Sequence, residues 1–458
     1  MPVFEWRSPM PASARDVYDW HARDGAFERL AAPWQEVHVV ERSGGVADGA
    51  VVVFDYRAGV LRGRWVAQHL NDDPGHRFAD RQLHGPFALW EHTHSFIPDG
   101  KLSSVLEDHV EFQLPYGAVT DLFGGVPANR VLERLFRFRH ERTRNDIERL
   151  LESRDKPRLR IAITGATGLI GTQLTAFLQA QGHDVVRIAR GMPERETDIV
   201  WRPEEGRLAA ASLEGVDAVV HLAGETTAGR WTAAKRSRIM RTRADGTALV
   251  AHTLAGMSEP PKVLLSASAV GYYGEGGDQE LTEASRSGDD FLAAVTRRWE
   301  AALDPARQAG IRVVPMRFGV VMSGSGGALS RMLPAFRAGT GGPMGGGEQW
   351  WSWIALDDLL AAVATLLSAD DVEGPVDVTS PLPLRNRDFV KTLGHVLHRP
   401  AVVPLPAVAI KAMFGQMGET MLLTSQRVLP RRLEELGFRF AYPELEAALR
   451  VELGRSAA

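Results

Sequence analysis

The 458-residue sequence predicts an α/β protein whose larger part is a doubly wound parallel sheet, preceded by an α+β region built on an antiparallel sheet. Three observations carry that prediction. From residue 159 onward, near-continuous apolar runs alternate with helical stretches, the pattern of β and α elements laid side by side. One junction between them is a glycine-rich elbow. Before residue 152, apolar residues alternate with polar ones along short runs, as in strands that keep one face wet.

The elbow is the most informative stretch. Residues 159 to 171 read Leu-Arg-Ile-Ala-Ile-Thr-Gly-Ala-Thr-Gly-Leu-Ile-Gly, a short buried strand turning tightly into a helix. Gly165 permits the turn, Gly168 lets the backbone approach an anionic ligand, and Gly171 lets helix and strand pack closely. The N–H groups at the helix start, around Thr167, Leu169 and Ile170, face that ligand, and the helix dipole favours its negative charge. Gly182 is placed to end the helix, and Asp184 to Arg190 is the next strand. This strand, turn, helix and strand unit is the setting in which three spaced glycines signify a dinucleotide pyrophosphate. NAD-binding units carry Asp or Glu about 20 residues past the elbow to hold the ribose 2′-hydroxyl. Here that place holds Arg187 and Arg190 and no acid. A guanidinium there can clamp a 2′-phosphate with parallel hydrogen bonds, so NADP is expected, held by Arg190, with Arg187 read as a solvated side chain.

Composition narrows the function classes. At 44% hydrophobic and 24% charged residues the chain is an ordinary globular one, and its length suggests two to three domains. A net charge of -4 provides no electrostatic footprint for nucleic acid or an anionic membrane. The absence of cysteine excludes disulfides, thiol nucleophiles and cysteine metal sites. Glu5, Asp16, Asp19 and Asp24 lie where a secretory leader would be basic and then apolar, and no run approaches 18 apolar residues, so a cytoplasmic location without a membrane span is expected. The six lysines against 47 arginines read as genome composition.

Residues 1–152 form the first expected domain. Val51 to Tyr56, Arg64 to Leu70 and Ala88 to Phe96 read as antiparallel strands. A long helix closes the domain, with Leu132, Leu135, Phe136, Ile147 and Leu150 on one stripe. Arg134, Arg137, Arg142, Arg144 and Arg149 fall elsewhere and read as a solvated face. His92 and His94 share one strand face with Trp90 and Phe96. Asp80, His84 and His109 are the candidates to stand near them, and the pair reads as cavity-lining or hydrogen-bonded, with no metal expected. Ser153 to Arg158 is a charged linker. Residues 158–380 form the parallel-sheet domain, whose strands end in Leu222-Ala223-Gly224-Glu225, Ser266-Ala267-Ser268 and Arg317 to Val320, small or polar residues where a cofactor would lie. Two glycine-dense loops follow. The second, Gly339 to Gly347, leads into Trp350, Trp351 and Trp353, read equally as pocket walls or as packing. Residues 381–458 are a smaller substrate-side region.

These residues resemble the extended branch of the short-chain dehydrogenase/reductase superfamily, with its Thr-Gly-Ala-Thr-Gly-x-x-Gly turn. More narrowly, His221 to Glu225, Arg230-Trp231-Thr232 with Lys235, Arg243, Ser268 to Gly274, Trp299-Glu300, Arg317 to Val321, Trp353-Ile354 and Asp357-Asp358 resemble an atypical epimerase-like group, often labelled nucleoside-diphosphate-sugar epimerase or cell-division inhibitor. Asn386, Phe389, Pro404-Leu405-Pro406 and Gly437-Phe438 are similar to that group's small C-terminal domain. The resemblance implies an NAD(P)-binding Rossmann fold, with cofactor contacts at Gly165, Thr167, Gly168, Leu169, Ile170, Gly171, Arg190, Leu222, Ala223, Gly224, Glu225, Arg243, Ser266 and Val320. Trp65, Phe78-Ala79-Asp80, Gly85-Pro86-Phe87, Trp90, His92, His94 and Arg139-His140 make residues 1–152 similar to the START-like helix-grip (SRPBCC) superfamily. That likeness implies a curved sheet around a long helix and an apolar cavity.

The chain departs from the reductases of this superfamily at the group that moves the proton. Their Tyr-x-x-x-Lys pair, in which an ammonium lowers the tyrosine pKa, is missing: the pattern places Phe291 and Val295 there. Ser268 fits the serine that precedes the pair, and Tyr272 or Tyr273, with Glu225 or Lys235 as neighbouring charge, are read either as substitutes or as structural packing. Ser268 and Tyr272 are therefore the candidate catalytic residues. Two functions fit: an NADP-dependent oxidoreductase or epimerase acting on a small molecule, or a non-catalytic NADP(H)-binding regulator. In both, the first domain holds an apolar ligand.

Overall fold

A computed structural model describes residues 2–58, 61–115, 118–190 and 197–456, with backbone alone at 58, 61 and 118–127. The chain forms two compact units. One comprises Met1–Pro157, Ala176–Gly182 and Val451–Ala458; the other comprises Arg158–Thr175 and His183–Arg450.

The first unit contains β1 (Val3–Met10), α1 (Ala14–Ala22), α2 (Ala26–Leu30), β2 (Glu36–Arg42), β3 (Val51–Ala58), β4 (Leu61–Asp73), β5 (Arg77–His84), β6 (Leu89–Pro98), β7 (Ser104–Gln113) and α3 (Ala118–Glu152). The strands form one antiparallel sheet in the order β1-β7-β6-β5-β4-β3-β2. Alternation along β7 sends Ser104, Leu106, Asp108, Val110 and Phe112 inward and the residues between them outward. Phe136 and Ile147 of α3 are fully buried, Phe136 in a cluster with Phe4, Trp90 and Phe112 and Ile147 in one with Phe96 and Leu106. Each such aromatic contributes about 1.5–3 kcal/mol of apolar burial.

The expected solvated arginine face of α3 is corrected by the structure. Arg134 lies 4.3 Å over the Trp34 ring, Arg142 is buried 4.7 Å over Phe138, and Arg137 lies 5.8 Å from the Trp6 ring centre. A planar guanidinium on a long apolar stem covers aromatic surface, so helix periodicity alone places these residues wrongly.

The second unit contains β8 (Arg160–Thr164), the start of α4 (Leu169–Ala180), β9 (Asp184–Arg190), β10 (Ile199–Arg202), β11 (Arg207–Leu208), β12 (Ala218–His221), α5 (Ala233–Ala255), β13 (Val263–Ala269), β14 (Glu280–Leu281), α6 (Phe291–Ala301), α7 (Asp304–Gln308), β15 (Arg312–Phe318), β16 (Val320–Met322), α8 (Gly327–Arg337), β17 (Trp350–Trp351), β18 (Trp353–Ala355), α9 (Leu356–Ser368) and β19 (Val376–Val378), with further short elements to residue 450. The main sheet runs β11-β10-β9-β8-β12-β13-β15-β19, parallel except for the β10–β11 edge. Chain order therefore reverses between β8 and β12, and in such sheets ligands bind outside the carboxyl ends of the strands at that reversal. The doubly wound sheet and the antiparallel α+β region agree with the fold class expected.

Of the two readings of the tryptophans, packing is what the structure supports. Trp353 is fully buried with its indole N–H donated to Leu382 O at 2.9 Å. Trp351 packs on Phe389, and Trp350 lies between the guanidinium groups of Arg385 and Arg427, each 4.8 Å from its ring centre. Asn386 accepts the Met344 N–H at 2.8 Å, tying the C-terminal stretch to the second glycine-dense loop.

Candidate functional site

At the end of β8 the backbone of Gly165 turns with φ +70°, and a Cβ there would lie 3.0 Å from Ala223 N. At Gly171 a Cβ would lie 2.1 Å from Gly165 O, so helix α4 can start this close to β8 only without a side chain. Thr167 and Gly168 at the tip are exposed, and no acidic residue occupies the first turn of α4. The first N–H groups of a helix lack intrahelical acceptors, so the elbow presents donors with no carboxylate to quench them. A hydroxyl chain fixes the two strand ends beside it. Thr164 Oγ1 accepts the N–H groups of Leu222 and Ala223 at 3.1 and 3.2 Å, so its own proton goes to His221 Nδ1 at 2.8 Å. His221 Nε2 then donates to Thr247 at 2.9 Å. Burial pushes His221 down to about 4, which keeps it neutral for this role.

The elbow opens on a cavity of about 860 Å³, lined by Gly165 to Gly168, Arg187 to Arg190, Trp201, Arg202, Glu204, Glu205 and Leu222 to Gly224. Arg190 is exposed at the tip of β9 and makes no hydrogen bond or ion pair with a described residue. Arg187 is instead committed to Asp198 through two bonds of 2.9 and 2.6 Å. Arg202, unremarked in the sequence, stands next to Trp201, the register partner of Arg190 on the adjacent parallel strand. Only the strand pairing reveals it.

Glu225 and Arg243 buttress the far wall. Lys235 Nζ lies 2.5 Å from Glu225 Oε1, and Arg243 Nη1 donates to Glu225 O at 2.8 Å beneath the Trp299 ring. Burial pushes Arg243 down to about 10. Glu225 and Lys235 thus neutralise each other, correcting the expectation that either charges a tyrosine. Val320 pairs with Trp353, and Ser266 is sealed within the sheet with its hydroxyl on Ala267 O. The first glycine-dense loop reaches the elbow: Cβ atoms on Gly326 and Gly327 would lie 3.0 and 3.2 Å from Leu169.

Of the two candidate catalytic residues, Ser268 belongs to a separate buried network, and half-buried Tyr272 stacks against it. Ser268 donates its hydroxyl to Glu300 at 2.6 Å, and Arg317 grips both Glu300 oxygens at 2.8 Å. Arg317 also donates to the Tyr273 hydroxyl at 3.0 Å, which donates to Asp377 at 2.7 Å. Burial and the nearby Glu283 push the Asp377 carboxyl well above its ordinary range. Burial and Asp377 raise Tyr273, so this phenol does not ionise near neutral pH. Tyr272 makes no hydrogen bond with a described residue, and its ring centre lies 3.5 Å from the Arg317 guanidinium carbon. Where the reductase pair would stand, Phe291 and Val295 pack with Trp231 and Met417. Glu300, Arg317 and Asp377 come from three different elements, a convergence that no local spacing signals.

In the first unit, strand register gathers a second cluster. Asp80 faces His92, and His94 faces Asp108. His92 reaches Asp80 with Nδ1 at 3.1 Å and Asp108 with Nε2 at 3.0 Å, while His94 and His140 each lie 2.5 Å from Asp108. His109 is on the outer face beside Glu5 and Glu111, so of the expected neighbours it is excluded. Asp80, His92 and His94 have ligand atoms within 4.8 Å of one another, the one such group among the described residues. Both His92 nitrogens, however, already hold carboxylates. Although burial disfavours its charge, the bonds to Asp108 and Asp80 push His92 up to about 9. Because this folded value lies above the unfolded one of about 6.5, its stabilisation is complete below pH 6.5 and lost as pH rises through 9. The first unit is therefore expected to lose roughly 1–3 kcal/mol between pH 6.5 and 9.5. Denaturant unfolding across that window checks this, and a flat profile contradicts it.

An epimerase family protein of Mycobacterium tuberculosis is 40% identical over 290 residues, covering 63% of this chain and 96% of that protein. The chain belongs to the epimerase family. Residues 161–378 match the NAD dependent epimerase/dehydratase family, 405–451 a domain of unknown function (DUF1731), and 10–136 the family described as polyketide cyclase/dehydrase and lipid transport. Among solved structures, the nucleoside-diphosphate sugar epimerase of Corynebacterium glutamicum is 33% identical with a TM-score of 0.83, over 98% of this chain and 90% of that one. Human epimerase family protein SDR39U1, solved with NADPH, is 36% identical with a TM-score of 0.58, over 64% of this chain and 99% of its own. In this epimerase family member no helix among the described residues is long and apolar enough to cross a membrane.

Proposed function

We propose that the second unit binds NADP(H) and acts as an NADP(H)-dependent oxidoreductase or epimerase on a small molecule, while the first unit holds an apolar ligand. The observation that carries the cofactor reading is the open elbow with the guanidinium of Arg190, without a partner among the described residues, at the next strand tip. The residues fit the group: the cradle would be filled by a Cβ at Gly165 or Gly171, and the cavity beside it is of ligand size. The N–H groups of Thr167, Leu169, Ile170 and Gly171 would hold the pyrophosphate, that of Gly168 being donated to Gly165 O, and Arg190, helped by Arg202, would hold the 2′-phosphate. The human relative's structure with NADPH supports the same choice.

When bound, the nicotinamide supplies or accepts a hydride. The chain's own task is then the proton. Ser268 spends its hydrogen on Glu300 and serves as a positioning residue, whereas the Tyr272 hydroxyl has no partner among the described residues and its ring lies over a permanent cation. A cation on the ring face is attracted more strongly as negative charge develops on the phenol oxygen, so Tyr272 with Arg317 takes the place of the missing pair. The apolar packing of Phe291 and Val295 favours the second reading, a nucleotide-binding regulator without turnover.

Calorimetric titration with NADPH, NADP⁺ and NADH tests the cofactor reading, with preference for the phosphorylated forms expected and no uptake of any of them overturning it. Ser268→Ala is expected to leave NADPH affinity unchanged and to cost about 1–2 kcal/mol in unfolding free energy, the loss of one charge-assisted bond. A loss of NADPH affinity in that variant would show the hydroxyl facing the cofactor instead.

A further inference from the structure

The cavity of the first unit has a volume of about 270 Å³ and is walled by Trp65, Trp90, Phe54, Phe87, Leu132 and Leu135. A 150 Å³ apolar cavity accommodates one benzene, so this one takes roughly eleven heavy atoms, one or two rings rather than a long acyl chain. Its polar end is made of imidazoles, and their tautomers can be read from their neighbours. His21 places Nδ1 2.8 Å from Val17 O, a carbonyl that can only accept, so the proton is on Nδ1. His94 places Nδ1 2.5 Å from Asp108 Oδ1, a distance at which two lone pairs would repel, so there too the proton is on Nδ1. Both rings are nine-tenths buried and line the cavity, and their centres are 5.8 Å apart. Neither Nε2 has a hydrogen-bond partner among the described residues, and neither is sealed from the cavity.

We infer that this cavity selects an uncharged aromatic of one or two rings that carries a hydroxyl, held because His21 and His94 present bare Nε2 acceptors that only a donor satisfies. The inference deepens the apolar-ligand reading of the first unit and rests on it. Burial, with repulsion from His94, pushes His21 down to about 3, and burial with repulsion from His92 lowers His94, so both stay neutral acceptors. The other charged groups of the wall already have partners: Arg42 pairs with Asp24 and Glu28, Arg57 with Glu36 and Asp80 with His92, while Arg23 and Arg139 donate to the carbonyls of Ala180 and Leu30; His69 is lowered by burial, and Asp108 with His140 stands behind the imidazoles. A carboxylate brought to Arg139 would meet Asp80, Asp108 and two lone pairs. An ether or ketone of the same size would set its oxygen lone pairs against those of the imidazoles.

Titration of the full chain at pH 7.5 with 2-naphthol, 2-methoxynaphthalene and 2-naphthoate tests this. The naphthol is expected to bind at least about tenfold more tightly than either of the others. His94→Leu is expected to remove most of that preference while leaving 2-methoxynaphthalene unchanged. Should that variant not fold, ¹⁵N histidine spectra of the unaltered protein stand in its place, with Nδ1-protonated neutral rings expected for His21 and His94. Nε2-protonated or cationic rings overturn the inference. Equal binding of naphthol and its methyl ether overturns donor selection but leaves the apolar cavity, whereas binding of no aromatic at all overturns both.

Discussion

Glu300→Ala is expected to lower the stability of the second unit by about 3–5 kcal/mol, because it strands the Arg317 guanidinium in the interior. Arg317 has a side chain 3% exposed, and Glu300 accepts three of the hydrogen bonds that organise this region. The other acid in the network does not compensate, since Asp377 is pushed toward its neutral form. Replacing a buried ion pair with a well-packed apolar pair can be neutral, so the cost belongs to leaving one member behind. Glu300→Ala/Arg317→Met is accordingly expected to recover part of the loss. Denaturant unfolding of the single and double variants measures both effects, and a single-variant loss below about 1 kcal/mol would mean that water reaches the guanidinium.

Arg190→Ala is expected to weaken NADPH binding by about 30- to 100-fold and to leave NADH within about twofold, since the two cofactors differ only in the 2′-phosphate. The effect is large because Arg190 has no carboxylate partner among the described residues to release before it can engage the phosphate. Arg187→Ala, by contrast, breaks the pair with Asp198 and is expected to cost stability with little discrimination between cofactors. Arg202→Ala is expected to fall between them, because the Glu205 carboxylate 3.5 Å away already draws on its charge. Equal losses for NADPH and NADH in Arg190→Ala would remove this arginine from the 2′-phosphate site.

The elements with strong periodicity were legible in the chain itself. β8 and β9 fall where the apolar runs placed them, because a strand covered on both faces must be apolar throughout. The elbow was legible because φ +70° at Gly165 and the near-contact at Gly171 leave glycine as the one residue that fits. Asp108 was the missed signal on β7: an acid in register with Leu106, Val110 and Phe112 marks a buried charge that must find partners. The arginines of α3 were misread because a guanidinium buries its flat face while periodicity records only its charge.

By itself the sequence determined the doubly wound sheet, the glycine turn at the end of β8, the absence of cysteine chemistry and the missing tyrosine–lysine pair, all of which depend on residues close together in the chain. Only the tertiary structure decided that Arg190 has no partner among the described residues while Arg187 is spent, that Ser268 serves Glu300, and that three histidines converge on Asp108. Those outcomes depend on which side chains from distant strands and helices come within hydrogen-bond range of one another. A buried hydrogen-bonding group takes whatever partner the packing brings to it, and that partner is set by register and crossover rather than by spacing along the chain.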